Sequence, residues 1–121
     1  MRLVILESPF KGKGDTETAR RLDEVENILY ARRCVRDSLL RGESPIASHL
    51  LYTQTGILRD DVPEERALGI AAGLEWKAVA HVSVVYADRG ISEGMQLGMD
   101  AASETGLPVE VRYLDLADEE R

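Results

Sequence analysis

The sequence predicts one α/β domain of Rossmann-like architecture, a three-layer sandwich in which a mainly parallel sheet of four or five strands lies between two layers of helices. Short apolar runs alternate with longer stretches of helical period, and this order requires right-handed crossovers between parallel strands. The 121 residues suffice for one hydrophobic core, and 44% hydrophobic with 31% charged residues is typical of a globular chain. We therefore treat residues 1–121 as a single domain.

The first half of the chain predicts a strand, a long helix and a second strand. The apolar run in residues 2–6 predicts a buried strand, and a glycine-containing loop leads from it to a helix over residues 16–41. Residues 45–47 predict a short strand, and residues 49–60, which have no clear period, predict a long surface loop. The face of the long helix that turns to the core is expected to carry its periodic apolar residues, Leu22, Val25, Leu29, Val35 and Leu39.

The second half predicts two further helices and two further strands. Asp61 is expected to cap a helix that runs to about Lys77, and the β-branched run in residues 79–86 predicts a central strand. Ser92 predicts the cap of another helix, which Gly106 would end. Residues 109–114 predict the last strand, and the acidic residues after it predict a frayed tail.

Charge and cysteine usage narrow the class of partner. A formal net charge of −7 argues against nucleic-acid binding, which is driven by clustered lysine and arginine. The single cysteine, Cys34, rules out an internal disulfide and indicates a reducing, cytoplasmic setting. No segment approaches membrane-spanning length. The predicted partner is a small molecule, with no nucleic acid and no membrane involved.

The predicted architecture places a ligand site at the carboxyl ends of the strands, in residues 7–14, 48–61 and 87–95. In the last segment Ser92 opens a helix, so free backbone N–H groups and the positive end of the helix dipole suit an anionic group. Gly94 would let that group approach the backbone closely. The alternative is that Ser92 is only a cap and Gly94 only a packing contact.

Other polar residues in these segments give weaker signals. His49 could donate to a ligand or act as an acid or base, or it could be structural. The glycine-containing loop, residues 11–14, lacks the spacing of a phosphate-binding loop and is interpreted as an ordinary loop. The four carboxylates between residues 60 and 65 are typical of a helix start, so we predict no metal and no cofactor. Ser8 or Ser48 could form a hydrolase triad with His49 and Asp88, but nothing resembling the G-x-S-x-G elbow is present.

Four stretches together resemble the nucleoside 2-deoxyribosyltransferase-like superfamily: LESPF at 6–10, NILYA at 27–31, PIASHL at 45–50 and GISEGM at 90–95. The resemblance covers residues 3–114 and is closest to small phage and bacterial members whose function is uncharacterised. It implies a flavodoxin-like domain, often a homo-oligomer, that binds a nucleoside or nucleotide at the strand ends. The ligand contacts that it implies are Ser8, Pro9, Phe10, His49, Asp88, Ser92, Gly94 and Met95.

The sequence departs from this family at the nucleophile. In the catalytic members a glutamate on the helix after the central strand attacks the anomeric carbon, but the matching position here holds Gln96 or Gly98, and neither can attack. The resemblance therefore implies a pocket that binds without the usual glutamate, as in a phage protein that sequesters a signalling nucleotide such as an ADP-ribose derivative. One alternative is an N-glycosidase or deoxyribosyltransferase in which Glu93 is catalytic. Another is a structural or interaction domain, so the sequence leaves open whether the protein is an enzyme.

Overall fold

The computed structural model describes residues 1–115, and these form a parallel four-stranded sheet with helices on both faces. The strands are β1 (Leu3–Glu7), β2 (Ser44–Ile46), β3 (Val82–Tyr86) and β4 (Val109–Arg112), in the order β2-β1-β3-β4. The helices are α1 (Glu17–Leu40), α2 (Ser48–Leu51), α3 (Pro63–Glu75) and α4 (Glu93–Thr105), with a 3₁₀ turn at Trp76–Ala78. The predicted fold class is confirmed. The predicted tail lies outside the described residues, apart from Asp115.

The two faces of the sheet have different coverings. Alternate residues of β1 and β3 form one hydrophobic cluster with Tyr30 and Cys34 of α1, and their side chains are almost fully buried. The opposite face is covered by the 3₁₀ turn and α4, whose Lys77 and Gly98 both lie against Glu7 at the end of β1. β3 is buried along its whole length, because it lies between β1 and β4 in the sheet.

Helix α1 turns a different face to the sheet from the one predicted. Its buried residues are Asn27, Tyr30, Ala31, Cys34 and Ser38. Of the predicted face, Val35 is partly buried against the core, whereas four residues are exposed: Leu22, Val25, Leu29 and Leu39. The reason is that the polar groups of the buried face have hydrogen-bond partners distant in sequence, such as Asp88 for the Tyr30 hydroxyl at 2.6 Å. A polar face whose groups are paired in this way can be buried.

Local hydrogen bonds explain where the helices begin and end. Ser92 caps α4 as predicted, since its hydroxyl accepts from the Met95 amide, and Gly106 ends α4 with a φ of 76°. The prediction that Asp61 caps α3 was wrong: Val62 occupies the cap position without a side-chain bond, and Asp61 pairs with Arg59 at 3.0 Å. Residues 49–60 are also not all loop, because α2 occupies the first part of that stretch.

The strands are shorter or shifted relative to their predicted bounds. The sheet pairing of β3 begins at Val82, and His81 before it has a structural role, since its Nδ1 accepts from the Leu3 amide at 2.7 Å. β2 ends at Ile46 because Ala47 is the cap of α2. β4 ends at Arg112, and the Leu114 amide donates instead to the Asp88 carboxylate at 2.9 Å. Within residues 1–115 no helix is long and apolar enough to cross a membrane.

Candidate functional site

A cavity of about 380 Å³ opens between the ends of β1 and β2, the inner side of α3 and the start of α4. Its size is that of a pocket for a small organic ligand. It lies at the carboxyl edge of the parallel sheet, where ligands of such folds bind. Four glycines line it: Gly69, Gly73, Gly94 and Gly98. At all of them except Gly94, an added Cβ would crowd a neighbouring side chain.

The structure brings most of the predicted site residues to this cavity. Its lining includes Ser8, Phe10, His49, Ser92, Glu93, Gly94 and Met95. Pro9 lines a smaller neighbouring hollow of about 120 Å³. Asp88 lines neither: its carboxylate accepts from the Tyr30 hydroxyl and the Leu114 amide, which ties α1 to the segment after β4. Ser8, His49 and Asp88 therefore do not assemble as a triad.

Ser8, which is buried, and His49, which is partly buried, form a polar pair on one wall. Ser8 Oγ lies 2.6 Å from His49 Nε2, and Ser8 is 4% exposed. Burial lowers the pKa of His49 to about 4, so its imidazole is neutral at physiological pH. A neutral imidazole and a hydroxyl can each donate or accept a hydrogen bond. The pair is thus suited to a polar, uncharged part of a ligand.

The start of α4 forms the opposite side of the mouth. The first amides of a helix have no acceptor within it, and the helix dipole adds positive potential there. Gly94 presents no side chain, and a Cβ placed on it would meet nothing closer than Ser92 Oγ at 4.0 Å. The exposed Lys11 and Lys13 line the same cavity. This side suits an anionic group such as a phosphate.

Glu7 and Lys77 form a second buried pair, which sequence reasoning did not single out. Glu7 Oε1 lies 3.1 Å from Lys77 Nζ, and the two side chains are 16% and 3% exposed. Burial raises the pKa of the Glu7 carboxyl, and the Lys77 ammonium opposes this rise. The sequence does contain a sign that Glu7 is unusual, because it is a charged residue at the end of the apolar run of β1. Lys77 had no such signal, because its burial depends on the 3₁₀ turn after α3.

The acidic residues near α3 are engaged with arginines. Asp60 lies 3.7 Å from the Arg66 guanidinium, and Glu65 accepts from the Arg59 amide at 3.1 Å. In the part of the chain that the structure describes, no group of three or more histidine, cysteine, aspartate or glutamate side chains is arranged to hold a metal ion.

Comparison with known proteins gives one family and one solved structure. The family model described as "Domain of unknown function (DUF7768)" matches residues 2–112. No curated protein matches the sequence. A similar solved structure is that of a 2-deoxyribosyltransferase from Bacillus psychrosaccharolyticus, which is described as a biocatalyst for the synthesis of antiviral and antitumoral nucleosides. The two structures have a TM-score of 0.59 at 18% sequence identity, and the match covers 92% of this chain and 72% of the other. The likeness shows that the two chains share a fold.

Proposed function

The chain belongs to the family described as a domain of unknown function, DUF7768, and we propose that it binds a nucleoside- or nucleotide-derived small molecule in the cavity at the carboxyl ends of its strands. The observation that carries this proposal is the convergence of the Ser8–His49 pair and the start of α4 on one cavity of about 380 Å³. The similarity in fold to an enzyme described as useful for nucleoside synthesis supports the ligand class.

The lining suggests how such a ligand would be held. A phosphate would lie at the start of α4, near Lys11 and Lys13, where the free amides and the two ammonium groups favour negative charge. The base would make apolar contact with Phe10 and hydrogen bonds with the Ser8–His49 pair. If the chain acts in a phage, as its sequence resemblance implies, such a pocket would sequester a signalling nucleotide.

Replacing Gly94 by leucine is expected to weaken nucleotide binding at least tenfold, because the added side chain fills the approach to the start of α4. The fold should tolerate it, since the position has open space around it. Thermal unfolding with AMP, ADP-ribose and deoxynucleosides measures the effect: a ligand at 100 times its Kd stabilises the wild type by about 2.7 kcal/mol, on the order of 10 °C in Tm.

Gln96→Leu is the matched control for that variant. Gln96 is exposed on the same helix and does not line the cavity, so this variant should keep the wild-type shift in Tm. Equal loss of binding in both variants would contradict a ligand at the start of α4. If none of these compounds raises the Tm of the wild type, the alternative of a structural or interaction domain is favoured.

We also propose that copies of the chain associate through α1. Leu22, Val25 and Leu29 form an apolar row on its outer side and are about half exposed or more in the single chain. We expect the wild type to run as a dimer or larger species in size-exclusion chromatography with light scattering, and Val25→Asp to run as a monomer. Ser103→Asp, which adds the same charge on α4, should leave the mass unchanged. A wild type that is monomeric at every concentration contradicts this proposal.

A further inference from the structure

The two edge strands of the sheet differ in how they are protected. β2 is short, and its Ser44 amide donates to the Arg2 carbonyl, so the next residue, Pro45, faces outward and has no N–H to offer another strand. β4 forms the other edge and contains neither proline nor lysine, the residues that commonly protect an edge. β4 is therefore the edge at which the sheet can be extended.

The backbone of β4 directs hydrogen-bonding groups away from the sheet. The carbonyls of Pro108 and Arg112 accept from amides on the β3 side at 2.9 and 3.0 Å. Successive residues of a strand direct their N–H and C=O groups to opposite sides, so the residues between and after these two face outward. Within residues 1–115 the outward backbone groups have no hydrogen-bond partner. The three outward residues are Val109, Val111 and Tyr113.

The side chains of β4 divide between the two faces of the sheet. Val109 and Val111 lie on the face that α4 covers, and their side chains are still 38% and 48% exposed. Glu110 and Arg112 lie on the other face, where the Arg112 guanidinium is 5.8 Å from the centre of the Tyr86 ring. The edge thus has an apolar side and a side with one negative and one positive residue.

The sequence of β4 is complementary to itself when the strand is reversed. If two antiparallel copies share a two-fold axis at Val111, then Glu110 of each copy lies opposite Arg112 of the other. Moving the axis by one residue in either direction places Glu110 opposite Glu110 or Arg112 opposite Arg112, and like charges directly opposite each other are destabilising. The charges therefore select one register, in which Val109 lies opposite Tyr113.

We propose that β4 pairs with the β4 of a second copy, antiparallel and with Val111 on the two-fold axis, so that two four-stranded sheets become one continuous sheet. The occupant is a second copy because the strand that best complements the charges of β4 is β4 itself. This surface is separate from the outer side of α1, so one copy can make both contacts. Because few residues of each copy take part, the contact is weak alone and dissociates at chromatographic dilution.

Disulfide capture tests the contact and its register together. Directly opposite residues of a hydrogen-bonded antiparallel pair have Cα atoms about 5.5 Å apart, which a disulfide can span. Mild oxidation of concentrated Val111→Cys should give at least ten times more linked dimer than Val109→Cys. In that matched control the two thiols lie about 13 Å apart along the strands. Cys34 is buried and should not react. Equal yields from the two variants, or none from either, overturn the proposal.

Opposite charges at position 111 give a second test, made in the Val25→Asp background to remove association through α1. Sedimentation equilibrium above chromatographic concentrations should show association of this parent. Adding Val111→Asp or Val111→Lys should weaken association at least tenfold, because each places like charges opposite each other, and an equimolar mixture of the two should restore it. Both should fold, since Val111 is half exposed.

Leu68→Asp in the same background is the control for added charge, because Leu68 is exposed on α3, away from β4. It should associate like the parent. A parent that is monomeric at every concentration overturns the contact, and a mixture that stays monomeric while the parent associates overturns the register. Neither result bears on the proposed ligand or on the contact through α1, which are tested separately.

Discussion

Replacing Glu43 by glutamine is expected to lower the free energy of unfolding by about 3–5 kcal/mol, the usual effect of breaking a buried ion pair by removing one partner. Both Glu43 oxygens accept from the Arg112 guanidinium at 2.7 Å, and the two side chains are 7% and 4% exposed. Ser38 donates to the same carboxylate at 2.9 Å. The amide would leave the buried Arg112 charge poorly compensated. Urea unfolding of the two proteins measures the difference.

Glu110→Gln is the matched control for the Glu43 variant. Glu110 also pairs with Arg112, but its side chain is 44% exposed, so solvent screens the pair. Exposed ion pairs typically contribute less than about 1 kcal/mol. Similar losses in the two variants would contradict the view that the Glu43–Arg112 pair contributes more to the free energy of unfolding because it is buried.

Acidification from pH 6.5 to 4 is expected to remove about 3 kcal/mol of stability through His49 alone. Burial depresses the pKa of His49 to about 4 in the folded chain, from 6.5. The unfolded chain therefore takes up the proton first, so the stability that His49 contributes is complete above pH 6.5 and declines as pH falls towards 4. Below pH 4 the folded chain is protonated as well, and this loss ends.

The measurement is urea unfolding across that pH range for the wild type and His49→Gln. The difference between the two free energies of unfolding should change between pH 6.5 and 4 and then become constant. Glu43 is present in both proteins and cancels in this difference; its own contribution, which rests on a pKa lowered by Arg112 from 4.5 to about 2, is lost as pH falls from 4.5 towards 2. Two curves that stay parallel from pH 6.5 to 4 would refute the lowered pKa of His49 in the folded chain.

The features predicted correctly from sequence depend on chemistry between near neighbours. Ser92 and Gly106 bound α4 because a hydroxyl accepts from an amide three residues away and glycine adopts a positive φ. The rule that ligands bind at the carboxyl ends of parallel strands needs only the order of the elements, and the cavity at the ends of β1 and β2 lies where that rule puts it.

The features that sequence reasoning missed depend on partners far apart in the chain. The buried face of α1 was predicted wrongly because periodicity favours leucine and valine, whereas Tyr30 is buried through a bond to Asp88, 58 residues away. The Glu7–Lys77 pair joins residues 70 apart. Without a fold, neither partner of such a pair indicates the other. Long-range polar pairing was therefore beyond prediction, although the layers and the location of the cavity were not.

Gly98 has a consequence for how the site could change over time. Because residue 98 has no side chain, α4 packs directly against the Glu7 carboxylate, which belongs to the central sheet, while the first turn of the same helix lines the cavity. The buried Glu7–Lys77 pair and this part of the cavity wall therefore lie on different segments of the chain. Substitutions in the first turn of α4 would change the shape of the cavity without displacing Glu7.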